Sequence, residues 1–377
     1  MASFHILMLG WEFPPHIAGG LGVACEGLAK ALSENTELSL FLPGIGNSYV
    51  NNSIRIIPTG DFNHSPALQP YLDANPAKNV YLGDFKNRVA NYARDSLEAS
   101  MKVPFDIIHA HDWMTALAGL KIKKISGKPL VFHVHSLGYD RAGPDENRWI
   151  HEIEKQIIQA ADLVIAVSQY TRKICIDHYA ANPAKTVVVH NGISPVRAYR
   201  SPKPFPQQLV IFLGRMTSQK GPMQFLEIAR KVLDHNPKVR FAMAGTGDQL
   251  DALMATSVRF GIADRCHFTG FLDRKKIHDL FSMADVYCMP SLSEPFGLSA
   301  LEASQFGVPS IISKQSGVAE ILPGAITVDP FDTKEMALGI LKQLKAGRDE
   351  KDLPIRSWED AASEILDQYK ILVGPET

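Results

Sequence analysis

The chain has 377 residues, 45% of them apolar and 21% charged, with a formal net charge of -1 and four cysteines. That length exceeds one ordinary core and suits two domains of roughly 150–200 residues each. The near-neutral balance excludes the strong field of a nucleic-acid or anionic-membrane binder, and Cys25, Cys175, Cys266 and Cys288, with no C-x-x-C pair among them, exclude a disulfide scaffold or a zinc ribbon.

"FHILMLG" (Phe4–Gly10) reads as a buried strand, and "LGVACEGLAKALSE" after it has helical apolar spacing. Its apolar run is too short for a signal peptide, and no stretch of the chain reaches the ~18 apolar residues of a spanning helix. A cytoplasmic protein without an integral membrane segment is expected. Further strands are expected at Leu38–Leu42, Ile54–Ile57, Phe105–Ala110, Pro129–His135, Leu163–Val167 and Thr186–His190. The segment Thr59–Ser100 interrupts this rhythm with irregular polar sequence before the helix-like "GDFKNRVANYARDSLEASM", an insertion of the kind that shapes a binding cleft. "GISPVRAYRSPKPFPQQ" (Gly192–Gln208) has four prolines and no periodicity, and reads as a linker. Beyond it the alternation restarts with strands at Leu209–Leu213, Val239–Ala244, Cys266–Phe268, Val286–Met289 and Pro309–Ser313, and "SWEDAASEILDQYKIL" is the last helix. Apolar runs separated by helices point to parallel sheets covered on both faces. Two such doubly wound α/β domains imply a ligand cleft at the carboxyl ends of their strands.

Several motifs fall on those strand ends. "GRMTSQKG" (Gly214–Gly221) follows the first strand of the second half; Arg215 and Lys220 read either as solvated surface cations or as a phosphate clamp. Gly19 and Gly20 lie between the first strand and the first helix, where a bare helix N-terminus can meet an anion, or where a turn simply needs flexibility. In "PSLSEPFGLSALEASQFGVPSII" Glu294 and Glu302 flank Pro295-Phe296-Gly297. They read as hydroxyl acceptors for one bound molecule, or as a dipole-favouring charge and a solvated face. His109 and His111 end "FDIIHAHDW" and His135 ends "PLVFHVHS", three histidines at two neighbouring strand ends. No Asp-x-Asp metal clamp occurs anywhere.

Taken together and in this order, Gly-Gly-Leu, His-Asp-Trp, the strand-ending His135, Gly-Arg-x4-Lys-Gly and Glu-Pro-Phe-Gly-x4-Glu resemble the retaining nucleotide-sugar glycosyltransferases of family 4. The resemblance runs from about Phe4 to the last helix. "GWEFPPHIAGGLG" and "HAHDW" are similar to glycogen synthase-like members, and "HSLGYDR" resembles sucrose-phosphate synthase-like members. It implies a GT-B fold of two facing Rossmann-like domains. Residues 1–191 would form the acceptor-side domain, 192–208 the linker, 209–355 the nucleotide-sugar-binding domain, and 356–377 a helix crossing back to the first domain.

The resemblance also implies roles. Arg215 and Lys220 would hold the donor diphosphate, with the amides at Gly19 and Gly20 on the sugar-side phosphate. Glu302 would accept from the ribose hydroxyls. Glu294 and the amides of Phe296, Gly297 and Leu298 would hold the sugar, and His135 would sit against it. Gly245, Gly247, Phe271 and Leu272 would flank the base of a UDP-, ADP- or GDP-hexose. His111 and Asp112 are candidates for sugar or acceptor contact. No metal or other cofactor is expected: two charge-assisted hydrogen bonds at ~1.5–3 kcal/mol each and a helix N-terminus at up to ~2 kcal/mol can neutralise a departing diphosphate. The expected reaction is transfer of a hexose to a hydroxyl of an α-glucan, another glycan or a small acceptor. The competing readings are a nucleotide-sugar epimerase or phosphorylase on the same scaffold and an NAD-dependent oxidoreductase; "AGTGDQL" lacks the third glycine that the last would need.

Overall fold

The computed structural model describes residues 5–14, 17, 19–44, 50–51, 54–59, 80–348 and 355–374. It divides into two compact units, one formed by Met1–Ser194 with Arg356–Thr377 and the other by Pro195–Ile355.

In the first unit β1 (His5–Leu9), β2 (Glu37–Pro43), β3 (Val50–Asn51), β4 (Ile54–Thr59), β5 (Ile107–His111), β6 (Leu130–Val134), β7 (Leu163–Ala166) and β8 (Thr186–Val188) form one sheet. Its order is β3-β4-β2-β1-β5-β6-β7-β8, parallel throughout except for the β3–β4 edge pair. The helices are α1 (Gly20–Ser33), α2 (Val80–Ser100), α3 (Asp112–Ser126), α4 (Gly138–Ala142), α5 (Arg148–Ala160) and α6 (Gln169–Tyr179). Because helices cover both faces, β5 and β6 are buried at every position, which is why their sequences read as continuous rather than alternating runs.

In the second unit β9 (Leu209–Leu213), β10 (Arg240–Ala244), β11 (Cys266–Gly270), β12 (Val286–Met289), β13 (Ser310–Ser313) and β14 (Ile326–Val328) lie in the order β11-β10-β9-β12-β13-β14. Renumbered from β9, this is the 3-2-1-4-5-6 order of a doubly wound sheet. The helices α7 (Pro222–His235), α8 (Leu250–Arg259), α9 (Arg274–Met283), α10 (Leu298–Gln305) and α11 (Thr333–Ala346) flank it. Phe225 of α7 bridges Phe212 and Phe241 on the sheet, with ring centroids 5.5 and 5.9 Å away.

The last helix, α12 (Trp358–Val373), belongs to the first unit and packs on α1. Gly27 makes this possible: a Cβ there would sit 2.2 Å from the Trp358 indole. The helix is capped by Ser357, which accepts from the Asp360 amide.

Two strands escape the sequence pattern, β3 with two residues and β14 with three, both too short to show any period. Within the polar insertion α2 begins at Val80, and residues 60–79 lie outside those described. Gly192–Gln208 carries no helix or strand, and Val196 N–H donates to Gln305 Oε1 at 2.7 Å. In each sheet the strand order reverses next to its first strand, between β1 and β5 and between β9 and β12. The loops leaving those strands diverge, and a doubly wound sheet binds its ligands at that point.

Candidate functional site

In the second unit the loop after β9 passes through Gly214 and Arg215 into a single 3-10 turn (Ser218–Lys220), then Gly221 opens α7. Gly221 has φ +67, and a Cβ there would lie 2.0 Å from the Pro290 carbonyl oxygen, so the β9 and β12 loops meet through backbone. The meeting sets Lys220 against Glu294. Lys220 Nζ donates to both carboxylate oxygens, at 2.7 and 2.9 Å, and Ser291 Oγ donates to the same group at 3.1 Å. The Glu294 backbone is pinned as well, its N–H to Gln315 O at 2.9 Å and its carbonyl to Gly317 N–H at 3.0 Å. The two side chains are 21% and 9% exposed; at such burial, loss of one partner strands the charge of the other.

Gly245 (φ +133) and Gly247 pack directly on this loop. Cβ atoms there would lie 2.0 Å from Gly214 O and 2.5 Å from Met216 O. Met216 N–H donates to Thr246 O at 2.8 Å and Gln249 N–H to Met216 O at 3.0 Å. On the other side, α10 opens at Gly297 (φ +109) with no side-chain cap and no acid in its first turn, an electropositive end. Glu302, one turn along α10, is half-buried. Burial pushes its carboxyl up to about 7, against the opposing charge of Arg274.

In the first unit three carboxylates hold one loop. Asp112 follows β5 without a connection and opens α3 at φ +54, a conformation that is uncommon outside glycine. Its Oδ1 accepts from the amides of His135 and Ser136 at 2.7 and 3.1 Å. Asp140 accepts from Leu137 N–H at 2.8 Å, and Glu154 from Gly138 N–H at 3.0 and 3.1 Å. The four consecutive amides after β6 therefore all end on carboxylates, and Arg141 ties the group together through Ser136 Oγ at 2.8 Å. Burial pushes Asp112 up to about 7 and Glu154 up to about 8; the Arg141 charge and the amide bonds pull the other way.

Above this loop stand four histidines, His109 and His111 from β5 and His133 and His135 from β6. His109 Nε2 meets His133 Nδ1 at 3.2 Å, and His111 Nδ1 meets His135 Nε2 at 2.8 Å. The second pair stacks on the first, with His109 over His111 at 4.4 Å and His133 over His135 at 4.3 Å between centroids. His109 Nδ1 is bonded to Tyr369 Oη of α12. Burial keeps the rings neutral: His109 and His135 fall to about 3, and His111 and His133 lie well below the ordinary value. His109, His111 and His133 bring ring nitrogens within 4.8 Å of one another, yet their planes differ by only 10–24°. His109 Nε2 and His133 Nδ1 are already engaged with each other at 3.2 Å.

The family model described as Glycosyltransferase Family 4 matches residues 18–197, and the one described as Glycosyl transferases group 1 matches residues 196–355. The chain belongs to the family 4 glycosyltransferases. A glycosyltransferase of Methanocaldococcus jannaschii, itself uncharacterized, is 28% identical, with 97% of this chain and 98% of the relative covered. Glycogen synthase of Mycobacterium tuberculosis is 27% identical over 89% of this chain and 84% of its own. Among solved structures, sucrose-phosphate synthase from Thermosynechococcus elongatus superposes with a TM-score of 0.76 at 19% identity, covering 98% and 99% of the two chains. An Anabaena protein solved with UDP and glucose gives 0.69 at 21% identity over 97% and 95%. The catalytic domain of Arabidopsis thaliana starch synthase IV, bound to ADP and acarbose, gives 0.69 at 17% identity over 99% and 100%. The fold is GT-B.

For this glycosyltransferase the residues singled out in the sequence fall into two groups, one per unit. Lys220, Glu294, Phe296, Gly297, Leu298 and Glu302 gather on the β9 and β12 loops and the start of α10, with half-buried Arg215 on the same β9 loop. Gly245 and Gly247 join them through backbone. Phe271, 70% exposed, and half-buried Leu272 lie just past β11. In the first unit Gly19 precedes α1 in extended conformation, with open space where a Cβ would point, and Gly20 is exposed. His111, Asp112 and His135 form one hydrogen-bonded group. Asp112 is 1% exposed, and its oxygen is engaged by protein amides.

The sequence reading missed Glu154, Asp140, Arg141 and Tyr369. Glu154 left a signal: it lies between Ile153 and Ile157–Ile158 on the buried face of α5, and an acid on an apolar stripe needs a partner.

Proposed function

We propose that this glycosyltransferase moves a hexose from a nucleotide diphosphate sugar to a hydroxyl of an α-glucan or other glycan, with retention at the anomeric carbon and without a divalent metal. The Lys220–Glu294 pair at the switch point of the second sheet carries the reading. It sets an ammonium for phosphate oxygens beside a carboxylate for sugar hydroxyls, next to the uncapped start of α10. Arg215 adds a guanidinium suited to bidentate phosphate contact. Glu302 accepts from the ribose, and the backbone at Gly245, Gly247, Phe271 and Leu272 flanks the base.

On the other unit Gly19 and Gly20 offer amides to the sugar-side phosphate, and His135 faces the sugar. As the bond from the anomeric carbon to the phosphate oxygen breaks, Arg215 and Lys220 stabilise the departing charge. The acceptor oxygen bonds to the same carbon on the same face, and its proton passes to the departing phosphate oxygen. No side chain acts as general base. The glycogen synthase among the relatives supports the glucan acceptor, and the neighbours solved with UDP and glucose and with ADP support the nucleotide-sugar donor.

A thermal-shift panel of UDP, ADP and GDP and their hexoses, without added metal, tests the donor. Binding to the folded state alone raises the melting temperature in proportion to affinity and concentration. One nucleotide series should stand out; a panel in which none shifts the transition refutes the proposal.

A further inference from the structure

The proposed function uses His135 and gives the other three histidines no task. Packing alone does not account for them, because His111 Nε2 and His133 Nε2 are fully buried without a partner among the described residues, and apolar rings would leave no such atoms. We infer that His111 is the positioning residue that decides which ring nitrogen of His135 carries the proton, and that it thereby makes His135 a hydrogen-bond donor toward the sugar. This rests on the reading that His135 faces the donor sugar.

The number of protons on the two rings decides the tautomer. The two rings are neutral, so each has one N–H, and the contact between His111 Nδ1 and His135 Nε2 at 2.8 Å takes one hydrogen. If His135 supplied it, the proton of His111 would stand on Nε2 as a buried N–H with nothing to receive it. If His111 supplies it from Nδ1, its Nε2 keeps only an unused lone pair. Orphaned buried N–H groups are the rarer of the two defects, so the second arrangement holds. His135 Nε2 is then an acceptor and its proton stands on Nδ1.

The rest of the ring's freedom is also removed. Its backbone amide is held by Asp112 at 2.7 Å, and its face lies on His133 at 4.3 Å. His135 is the least buried of the four, at 9% exposure against 0–1% for the others, so the Nδ1–H is the end of the ladder open to a ligand. A neutral donor there binds a sugar oxygen and takes no proton from the acceptor, in keeping with a reaction whose leaving group receives it.

Selective 15N-histidine labelling reads the tautomer directly. Wild-type His135 should carry its proton on Nδ1. His111→Phe keeps an aromatic ring in the stack without nitrogens, and should move His135 toward Nε2–H while lowering turnover about tenfold, the scale of one hydrogen bond, with donor KM changed less than twofold. His111→Asn, whose amide N–H replaces Nδ1–H, should restore both the tautomer and most of the turnover, which also controls for misfolding. Nε2–H on His135 in the wild type, or an unaltered tautomer in His111→Phe, overturns the inference and leaves hexose transfer standing. A tautomer that shifts as described in a protein that transfers no hexose upholds the positioning and sinks the functional reading instead.

Discussion

Replacing Asp112 by Asn should stabilise the first unit relative to wild type, by an amount that grows with pH. Burial raises the carboxyl from 3.8 to about 7 even with two amides bonded to it. The folded state thus holds this proton more tightly than the unfolded chain does. Its contribution to stability is intact at acid pH and is lost as pH climbs from ~4 to ~7, by ~4 kcal/mol in all at ~1.36 kcal/mol per pH unit. Asn offers a neutral acceptor, tolerates the left-handed backbone better than most residues, and does not titrate. The Asn-minus-Asp stability difference should therefore increase by ~3 kcal/mol between pH 5 and pH 8. Asp112→Ala removes the one oxygen that accepts from both amides and should cost ~2–6 kcal/mol from the two orphaned N–H groups. Urea unfolding followed by tryptophan fluorescence isolates the effect, since Trp11, Trp113, Trp149 and Trp358, all four tryptophans of the chain, lie in this unit. The buried histidines contribute equally to every variant and cancel. An Asn-minus-Asp difference that stays flat with pH refutes the reasoning.

Gly27→Ala should destabilise the same unit by ~3 kcal/mol or more, because its Cβ would overlap the Trp358 indole at 2.2 Å; a red-shifted tryptophan emission at lower urea checks it. Gly245→Ala, at φ +133 and 2.0 Å from Gly214 O, should separate the β9 and β10 loops. The expected cost is ~3 kcal/mol or more, read as a lower thermal transition and a lost response to the donor nucleotide. Glu302 should make donor KM fall between pH 6 and 8, as its carboxyl ionises near 7 and becomes the stronger acceptor for ribose hydroxyls. Glu302→Gln should flatten that step and raise KM.

Much of this was legible before any coordinates. The strand ends marked the candidate site loops because parallel strands buried on both faces leave long apolar runs, and glycines and charges can appear only where those runs stop. So the β9 loop with Lys220 and the β12 loop with Glu294 could be found from sequence. That the two side chains pair was not legible: it depends on Gly221 touching Pro290, a contact between residues 69 positions apart in chain number. The histidines at the ends of β5 and β6 were visible as strand-ending residues, but their stacking depends on register, His111 opposite His133. His133 itself, inside an apolar run, gave no sign. Tyr369 was hidden for another reason: it reaches His109 across 260 residues, and only the return of α12 to the first unit brings it there.

In the proposed mechanism cationic side chains do the work of a metal at the diphosphate. Initial rates of hexose transfer by wild type and Lys220→Ala, each after exhaustive chelation, test it most directly. Wild type should keep its full rate, and Lys220→Ala should fall by ~10–100-fold, the worth of one charge-assisted hydrogen bond. A wild type silenced by chelation, or a Lys220→Ala enzyme that turns over normally, would contradict it.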